Sequence, residues 1–302
     1  MEAFKKIPDI GDPSDIHQHF PSYDLHLLCC RYWWLRHWEF QELSFPYWRI
    51  YHNSRSGASI IYNGQEHQLS PDEIVMIAPN TSYATRMFHH PIPKVGYALE
   101  GNRIDLDNVR TSKKSLDTIC HLFIHFNLGM PYDSVSPEVF FLKLTPHIKE
   151  KLDTIKDQVL LYNTHFSFHT NLAIRSMITD LLFELPQDKW LLISKDYRII
   201  QVMNYLDQNI SEDLTNPILA SEARMSTNAF TRLFKEETGI SPQQFVKKKR
   251  IDHACILLHH SEKTIDEIAI LCGFADRYHF SRIFKQHTTQ SPAKYRRQFG
   301  LQ

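Results

Sequence analysis

Two hexapeptides fifty residues apart carry the side chains best suited to chemistry at a charged surface. Phe230-Thr231-Arg232-Leu233-Phe234-Lys235 is followed by Ser241-Pro242, and Phe280-Ser281-Arg282-Ile283-Phe284-Lys285 by Ser291-Pro292. At helical spacing Ala229, Phe230, Leu233 and Phe234 share one face, as do Phe280, Ile283 and Phe284. The opposite faces show Asn228, Thr231, Arg232 and Lys235 in the first copy, and Arg277, Tyr278, Ser281, Arg282 and Lys285 in the second. Such faces suit a nucleic-acid groove. Arginine pairs with guanine edges, asparagine with adenine, hydroxyls with base or phosphate, and lysine neutralises phosphate. One such helix reads equally well as a solvated surface. Two copies in the same frame are an internal repeat, and the surface reading weakens accordingly.

The elements that must position these faces are two helix-turn-helix units. Upstream lie Leu219-Ala220 with Met225-Ser226, and Ile268-Ala269 with Cys272-Gly273-Phe274-Ala275-Asp276. The leading helices are predicted to end near Arg224 and Gly273, glycine suiting a left-handed turn. Ser226 and Asp276 are N-cap residues for the helices that follow. The second copy has one more residue between its alanine and its phenylalanine, so the slack lies in the turn. A helix over about 195–209 precedes the repeat, with Ile199, Val202, Met203 and Leu206 on its apolar face. Asn216-Pro217 opens the next helix, proline fitting its first turn. Ser241-Pro242 opens a long connector, with Phe245, Ile251, Ala254, Cys255 and Leu258 as its buried stripe. Lys247, Lys248, Lys249 and Arg250 lie on its polar side, where phosphate contact is expected. Thr264-Ile265-Asp266-Glu267 is a capping box. A final helix from Ser291-Pro292 carries Lys294, Arg296 and Arg297.

At 302 residues the chain is predicted to hold two domains, and 42% apolar content suffices for folded cores. No run approaches about 18 apolar residues, so no membrane span is expected. Met1 to Pro8 shows no secretion signal. Five scattered cysteines without a C-x-x-C fit a reducing cytoplasm. The net charge of zero hides an asymmetry. From Thr215 onward Lys and Arg exceed Asp and Glu by 14 to 8, so the basic charge sits with the repeat.

Residues 1–135 read as β-rich. Pro46–His52, Ala58–Tyr62, Gln65–Leu69, Ile74–Pro79 and His121–Phe126 are strand candidates, and Asn63-Gly64 signals a hairpin. The turn spacing suggests a barrel or jelly roll. Trp33, Trp34, Trp38, Tyr47, Trp48 and Tyr62 could line a ligand pocket or fill the barrel core. Histidine raises the question of a metal. His17-Gln18-His19 precedes the strands and His89-His90 sits beside Pro91-Ile92-Pro93, and neither spacing promises convergent ligands. No metal, cofactor or catalytic residue is therefore expected, and no nucleophile elbow, P-loop, zincin or dinucleotide motif is present. Residues 136–190 read as helical, with one helix from Pro137-Glu138 through Leu152, in which Pro146 is an anomaly, and another over Leu161–Leu185.

From about Lys195 to Gln302 the sequence resembles the AraC-type transcription regulators. Leu219-Ala220, Met225-Ser226, Phe230 to Lys235, Thr238-Gly239-Ile240-Ser241-Pro242, Arg250-Ile251, Ile265 to Phe274, and Phe280 to Lys285 with Ser291-Pro292 carry the resemblance. The second copy departs at Thr289, where the first has Gly239. The landmarks Trp48, Gly57, Gly64, Pro71 and Pro79-Asn80 resemble the family's cupin-like sensor domain. The resemblance implies an α+β chain of two domains: a cupin-like sensor barrel over 1–135, a helical dimerisation or linker segment over 136–190, and an all-α domain with two helix-turn-helix units over 191–302. It implies a cytoplasmic, homodimeric, sequence-specific regulator that binds promoter DNA, works with RNA polymerase and answers to a small molecule, a carbohydrate being the first guess. Asn228, Thr231, Arg232, Arg277, Tyr278, Ser281 and Arg282 are expected at bases or adjacent phosphates, and Lys235, Lys285, Lys248 and Arg296 at phosphates. Two alternatives stay open: a metal-dependent cupin enzyme fused to a DNA-binding domain, and a barrel that only dimerises.

Overall fold

Asn63 and Gly64 take positive φ of 51° and 75°, the left-handed pair that closes a two-residue hairpin. Their turn joins β3 (Ala58–Tyr62) to β4 (Gln65–Gln68), with Tyr62 opposite Gln65. The computed structural model describes residues 23–104, 117–161, 165–190 and 196–299. Met1 to Pro8, His17-Gln18-His19, Lys195 and the last residues of the chain lie outside them.

The remaining strands are β1 (His26–Leu43), β2 (Trp48–Asn53), β5 (Glu73–Ile77), β6 (Tyr83–Met87), β7 (Tyr97–Arg103), β8 (Ile119–Asn127) and β9 (Val139–Lys143). They form one antiparallel nine-stranded sheet in the order β4-β3-β6-β1-β8-β2-β5-β9, with β7 also on β1. This is a half-barrel. The 18-residue β1 pairs with β8 over its first part, with β7 over its second and with β6 at its end. Register shifts after Leu27, Leu35 and Phe40 mark the irregularities that let one strand serve three partners.

Every residue of β2 is buried, because both faces of the sheet are covered. On one face Trp48, Ile50, Ile74, Met76, Leu122, Ile124 and Phe126 pack against α1 (Pro146–Leu161) and α2 (Phe168–Phe183) through Ile148, Leu152, Ile155, Ile174, Ile178 and Leu181. The expected helix from Pro137 through Leu152 is corrected here. Val139–Lys143 is a strand on β5, with Ile74 opposite Leu142, and the sheet therefore runs past residue 135. The helix starts at Pro146, where the missing N–H has no intrahelical partner to lose. In the second expected helix, Ser167 caps α2 by accepting from the Thr170 amide, and residues 162–164 lie outside the described residues.

Among the described residues seven further α-helices follow: α3 (Tyr197–Gln208), α4 (Asn216–Glu222), α5 (Thr227–Thr238), α6 (Pro242–His260), α7 (Ile265–Leu271), α8 (Arg277–Thr288) and α9 (Pro292–Phe299). The first helix-turn-helix unit packs on α3 through Phe230, Phe234, Val202 and Leu206. The second packs on α6 through Phe280, Phe284, Leu258 and Tyr295, and this cluster is continuous with the other face of the sheet. Phe299 meets Phe45 edge-on at 4.9 Å and stacks near Phe40 at 6.3 Å. The α+β, two-domain architecture expected from the sequence is the one observed, but the second unit closes the concave side of the half-barrel. No helix of the described residues is long and apolar enough to cross a membrane.

Candidate nucleic-acid interface

The two helix-turn-helix units repeat in atomic detail. Both leading helices have seven residues and both trailing helices twelve. Ser226 caps α5 by accepting from the Ala229 amide, and Asp276 caps α8 by accepting from Tyr278 and His279. At the far ends, Thr238 donates its hydroxyl to Phe234 O (2.7 Å) and Ile240 O (3.0 Å), and Thr288 donates to Phe284 O (2.9 Å) and Gln290 O (3.1 Å). Gly239 and Thr289 then occupy equivalent left-handed positions, at φ 78° and 62°. The repeat thus extends to a position where the two sequences differ.

The phenylalanine pairs of the repeat are fully buried, which fixes how each helix rolls. Asn228, Arg232 and Lys235 are exposed on α5, and Arg277, Tyr278, Arg282 and Lys285 on α8. Tyr278 is 86% exposed, unusual for an aromatic side chain that packing could have used. Thr231 and Ser281 are half-buried, and the Thr231 hydroxyl donates to Thr227 O at 2.8 Å. Arg277 lies 3.2 Å from Asp266 in an exposed pair, which restrains it weakly.

The expected phosphate contacts divide. Lys235 and Lys285 stand exposed, whereas Lys248 pairs with Asp252 at 3.0 Å. Arg296 is half-buried and donates to Lys263 O, tying α9 to the segment before α7. Arg250, from the basic run of the connector, donates to Ile210 O (3.1 Å) and Glu212 O (2.6 Å). Its guanidinium lies 2.6 Å from where a Cβ on Gly273 would stand. One side chain therefore links the end of α3 to the turn of the second unit.

The aromatic set does not converge on one pocket. Alternation puts Trp33 and Trp34, and likewise Tyr47 and Trp48, on opposite sides of the sheet. Tyr47 and Trp48 are fully buried, Trp38 is in the concave-side core, and Trp33 and Tyr62 pack at its margin. Trp34 borders a hollow of about 220 Å³, with Tyr32, Cys120 and Lys156. A larger cleft of about 480 Å³ lies between the domains, lined by Asp24, Asn127, Asp133, Asp207, Lys248, Lys249, Asp252 and others. Burial raises the Asp133 carboxyl to about 6, although the Leu128 and Gly129 amides and Asn127 donate to it.

A polar seam joins the domains beside that cleft. Tyr47 is hydrogen-bonded to His259 Nδ1 at 2.5 Å, and His125 Nδ1 lies 3.3 Å from His260 Nε2. Burial holds His125 and His259 well below the usual imidazole range and His260 at about 3, and Arg49 pushes the same way. Cys29 lies with His125 and His260 at ligand-like separations. Arg49 Nε, always a donor, points at His125 Nε2 (3.3 Å), which leaves Nδ1 to carry the proton toward His260. With both nitrogens so engaged His125 has no lone pair for a metal, and the seam is a hydrogen-bonded chain. Nothing in the sequence signals this seam, since its members come from β1, β2, β8 and α6. A second set of ligand-type side chains, His37, Glu39 and His90, also converges, which the spacing of His89-His90 did not signal.

Residues 219–298 match the helix-turn-helix domain family. The transcriptional activator RhaS of Yersinia pestis is 34% identical over 125 residues, which cover 41% of this chain and 46% of RhaS. The chain thus spans about half the length of the curated relatives it matches. The DNA-binding domain of AdpA, solved in complex with a target DNA, is 30% identical and covers 34% of this chain and 92% of that domain, with a TM-score of 0.33. ToxT from Vibrio cholerae is 11% identical, covers 92% of this chain and 99% of its own, and has a TM-score of 0.50, a likeness of fold.

Proposed function

We propose, from the premise that the helix-turn-helix segment 219–298 belongs to the AraC-type regulators, that the whole chain is a sequence-specific regulator of transcription acting on double-stranded DNA. The observation that carries this reading is the pair α5 and α8. Each is rolled by a buried phenylalanine pair so that arginine, lysine and small polar side chains face outward. Asn228, Arg232, Tyr278 and Arg282 are assigned to bases or adjacent phosphates, Thr231, Ser281 and Arg277 to the margins of the same contacts, and Lys235 and Lys285 to phosphates. The two helices would enter successive major-groove turns, roughly 34 Å apart. Selection of sites from random duplexes by the full chain tests this. Enrichment of two half-sites about one helical turn apart is expected. Binding without sequence preference would overturn it.

The regulator would act in the cytoplasm, by binding rather than catalysis, as a homodimer and together with RNA polymerase. Exposed Phe168, Leu172 and Phe183 on α2 support a dimer face there. Control by a small molecule fits the interdomain cleft better than the buried aromatics, because a ligand there can favour one domain arrangement over another. With aspartate and lysine in the cleft wall, a polar ligand is favoured, and a carbohydrate remains within that class. A thermal-shift screen of the full chain, with and without Asp133→Asn, would show whether a stabilising compound depends on the cleft.

A further inference from the structure

We propose that His37, Glu39 and His90 form a binding site for a first-row divalent cation of the zinc class on the rim of the sheet. Glu39 stands on β1 with its side chain 1% exposed. His37 Nδ1 lies 3.0 Å from Glu39 Oε2, and His90 Nδ1 lies 3.2 Å from Glu39 Oε1. The Met87 amide donates to Oε1 at 3.2 Å. Among the described residues the ion-pair partners of Glu39 are these two imidazoles alone, and no Lys or Arg reaches it. A buried carboxylate so placed lacks a permanent counter-charge. A divalent cation between the three side chains supplies one.

The geometry is prepared in advance. Tetrahedral ligands about 2.0–2.2 Å from zinc lie about 3.3–3.5 Å from one another. The two His–Glu separations are close to this, and all three ligand atoms lie within 4.8 Å of one another. His90 reaches Glu39 because the chain reverses after β6. Its amide donates to Met87 O at 2.8 Å, with Phe88 and His89 at φ 47° and 61°. Two successive left-handed residues without a glycine are strained, and such strain persists where packing over-determines it. Here the Phe88 amide donates to Gly57 O, and its ring lies 2.5 Å from where a Cβ on Gly57 would stand. The turn is therefore locked in the form that brings His90 beside His37, with ring centroids 4.9 Å apart.

The donor set selects the ion. Two imidazole nitrogens and a carboxylate suit zinc and its first-row neighbours, whereas calcium and magnesium prefer oxygen ligands alone. An imidazole that turns Nδ1 to the metal carries its proton on Nε2, which solvent can reach. The histidine side chains are 36% and 34% exposed, which leaves room for water to complete the coordination. The site does not depend on the DNA-binding reading.

Equilibrium dialysis of the full chain against zinc tests the proposal, beside the double variant His37→Gln/His90→Gln and the variant Cys29→Ser. Both histidines are partly exposed, and matching zinc-free melting curves would show that the double variant folds. The expected result is about one zinc per native chain, at least about tenfold weaker binding in the double variant, and unchanged binding in Cys29→Ser. Cobalt loaded in place of zinc should give visible absorption bands that the double variant lacks. Native zinc affinity in the folded double variant, or affinity lost in Cys29→Ser instead, would overturn the proposal.

Discussion

The Tyr47 hydroxyl and His259 Nδ1 lie 2.5 Å apart, and this bond joins the concave side of the half-barrel to the last turn of the connector helix α6. Both side chains are buried, so neither can exchange the bond for water without opening the seam. Tyr47→Phe keeps the ring against Phe45 and His259 and removes only the hydroxyl. We expect it to lower stability by about 1–3 kcal/mol in denaturant titration, the cost of a buried polar atom left unpaired. Unchanged stability would mean that the aromatic packing holds the domains together without the bond.

The seam, together with His52 and His121 buried elsewhere in the sheet, should respond to acid. Burial holds His52 at about 4 and His121 and His260 at about 3, with His125 and His259 well below their ordinary range. These groups are neutral when folded and take a proton near pH 6.5 when unfolded. Their contribution is fully present above that value and is lost as pH falls toward 4, at about 1.4 kcal/mol per pH unit for each histidine. Asp133, raised to about 6, works in the opposite direction between about pH 4 and 6, but it is one carboxyl against several imidazoles. Urea midpoints measured from pH 7.5 to 5 should therefore fall steadily below pH 6.5. A flat profile would show that these histidines are already protonated or open to solvent.

On the proposed DNA face, Arg232→Ala and Arg282→Ala should behave differently from Lys235→Ala and Lys285→Ala. Loss of a bidentate base contact costs about 1–3 kcal/mol and relaxes preference at one base pair. Loss of a phosphate contact weakens every sequence alike and reduces the log–log salt slope by about 0.9. Competition binding on the selected site and its single-base variants, at several salt concentrations, separates the two. Uniform weakening by all four substitutions would remove the distinction between reading and anchoring residues.

Gly273 and Gly239 both sit at left-handed φ, 71° and 78°, but in different surroundings. Nothing lies within 4 Å of a Cβ built on Gly239, whereas the tethered Arg250 guanidinium lies 2.6 Å from one on Gly273. Gly239→Ala should cost about 1 kcal/mol from backbone strain alone. Gly273→Ala should cost more, up to about 3 kcal/mol, because the methyl displaces Arg250 from the carbonyls of Ile210 and Glu212. Chemical denaturation of both variants measures the difference, and equal costs would show that Arg250 moves freely.

The sequence by itself determined whatever depends on neighbours a few residues away. Ser226, Asp276 and Thr264 cap helices as their types predict, Asn63-Gly64 closes its hairpin, and the spacing of Phe230, Phe234, Phe280 and Phe284 sets which faces of α5 and α8 are presented. These outcomes follow from local hydrogen bonds and helical periodicity. Tertiary structure decided the rest. Val139–Lys143 became a strand because β5 offered an edge to pair with. Trp34, Tyr47 and Trp48, close in sequence, were divided between faces and layers because a strand alternates its side chains and β1 changes partners along its length. His37, Glu39 and His90 meet only because a strained turn after β6 folds back on β1, and Tyr47 finds His259 across 212 positions of chain. Contacts of that separation are chosen by which surfaces can be buried together, and no local pattern of residue types encodes that choice.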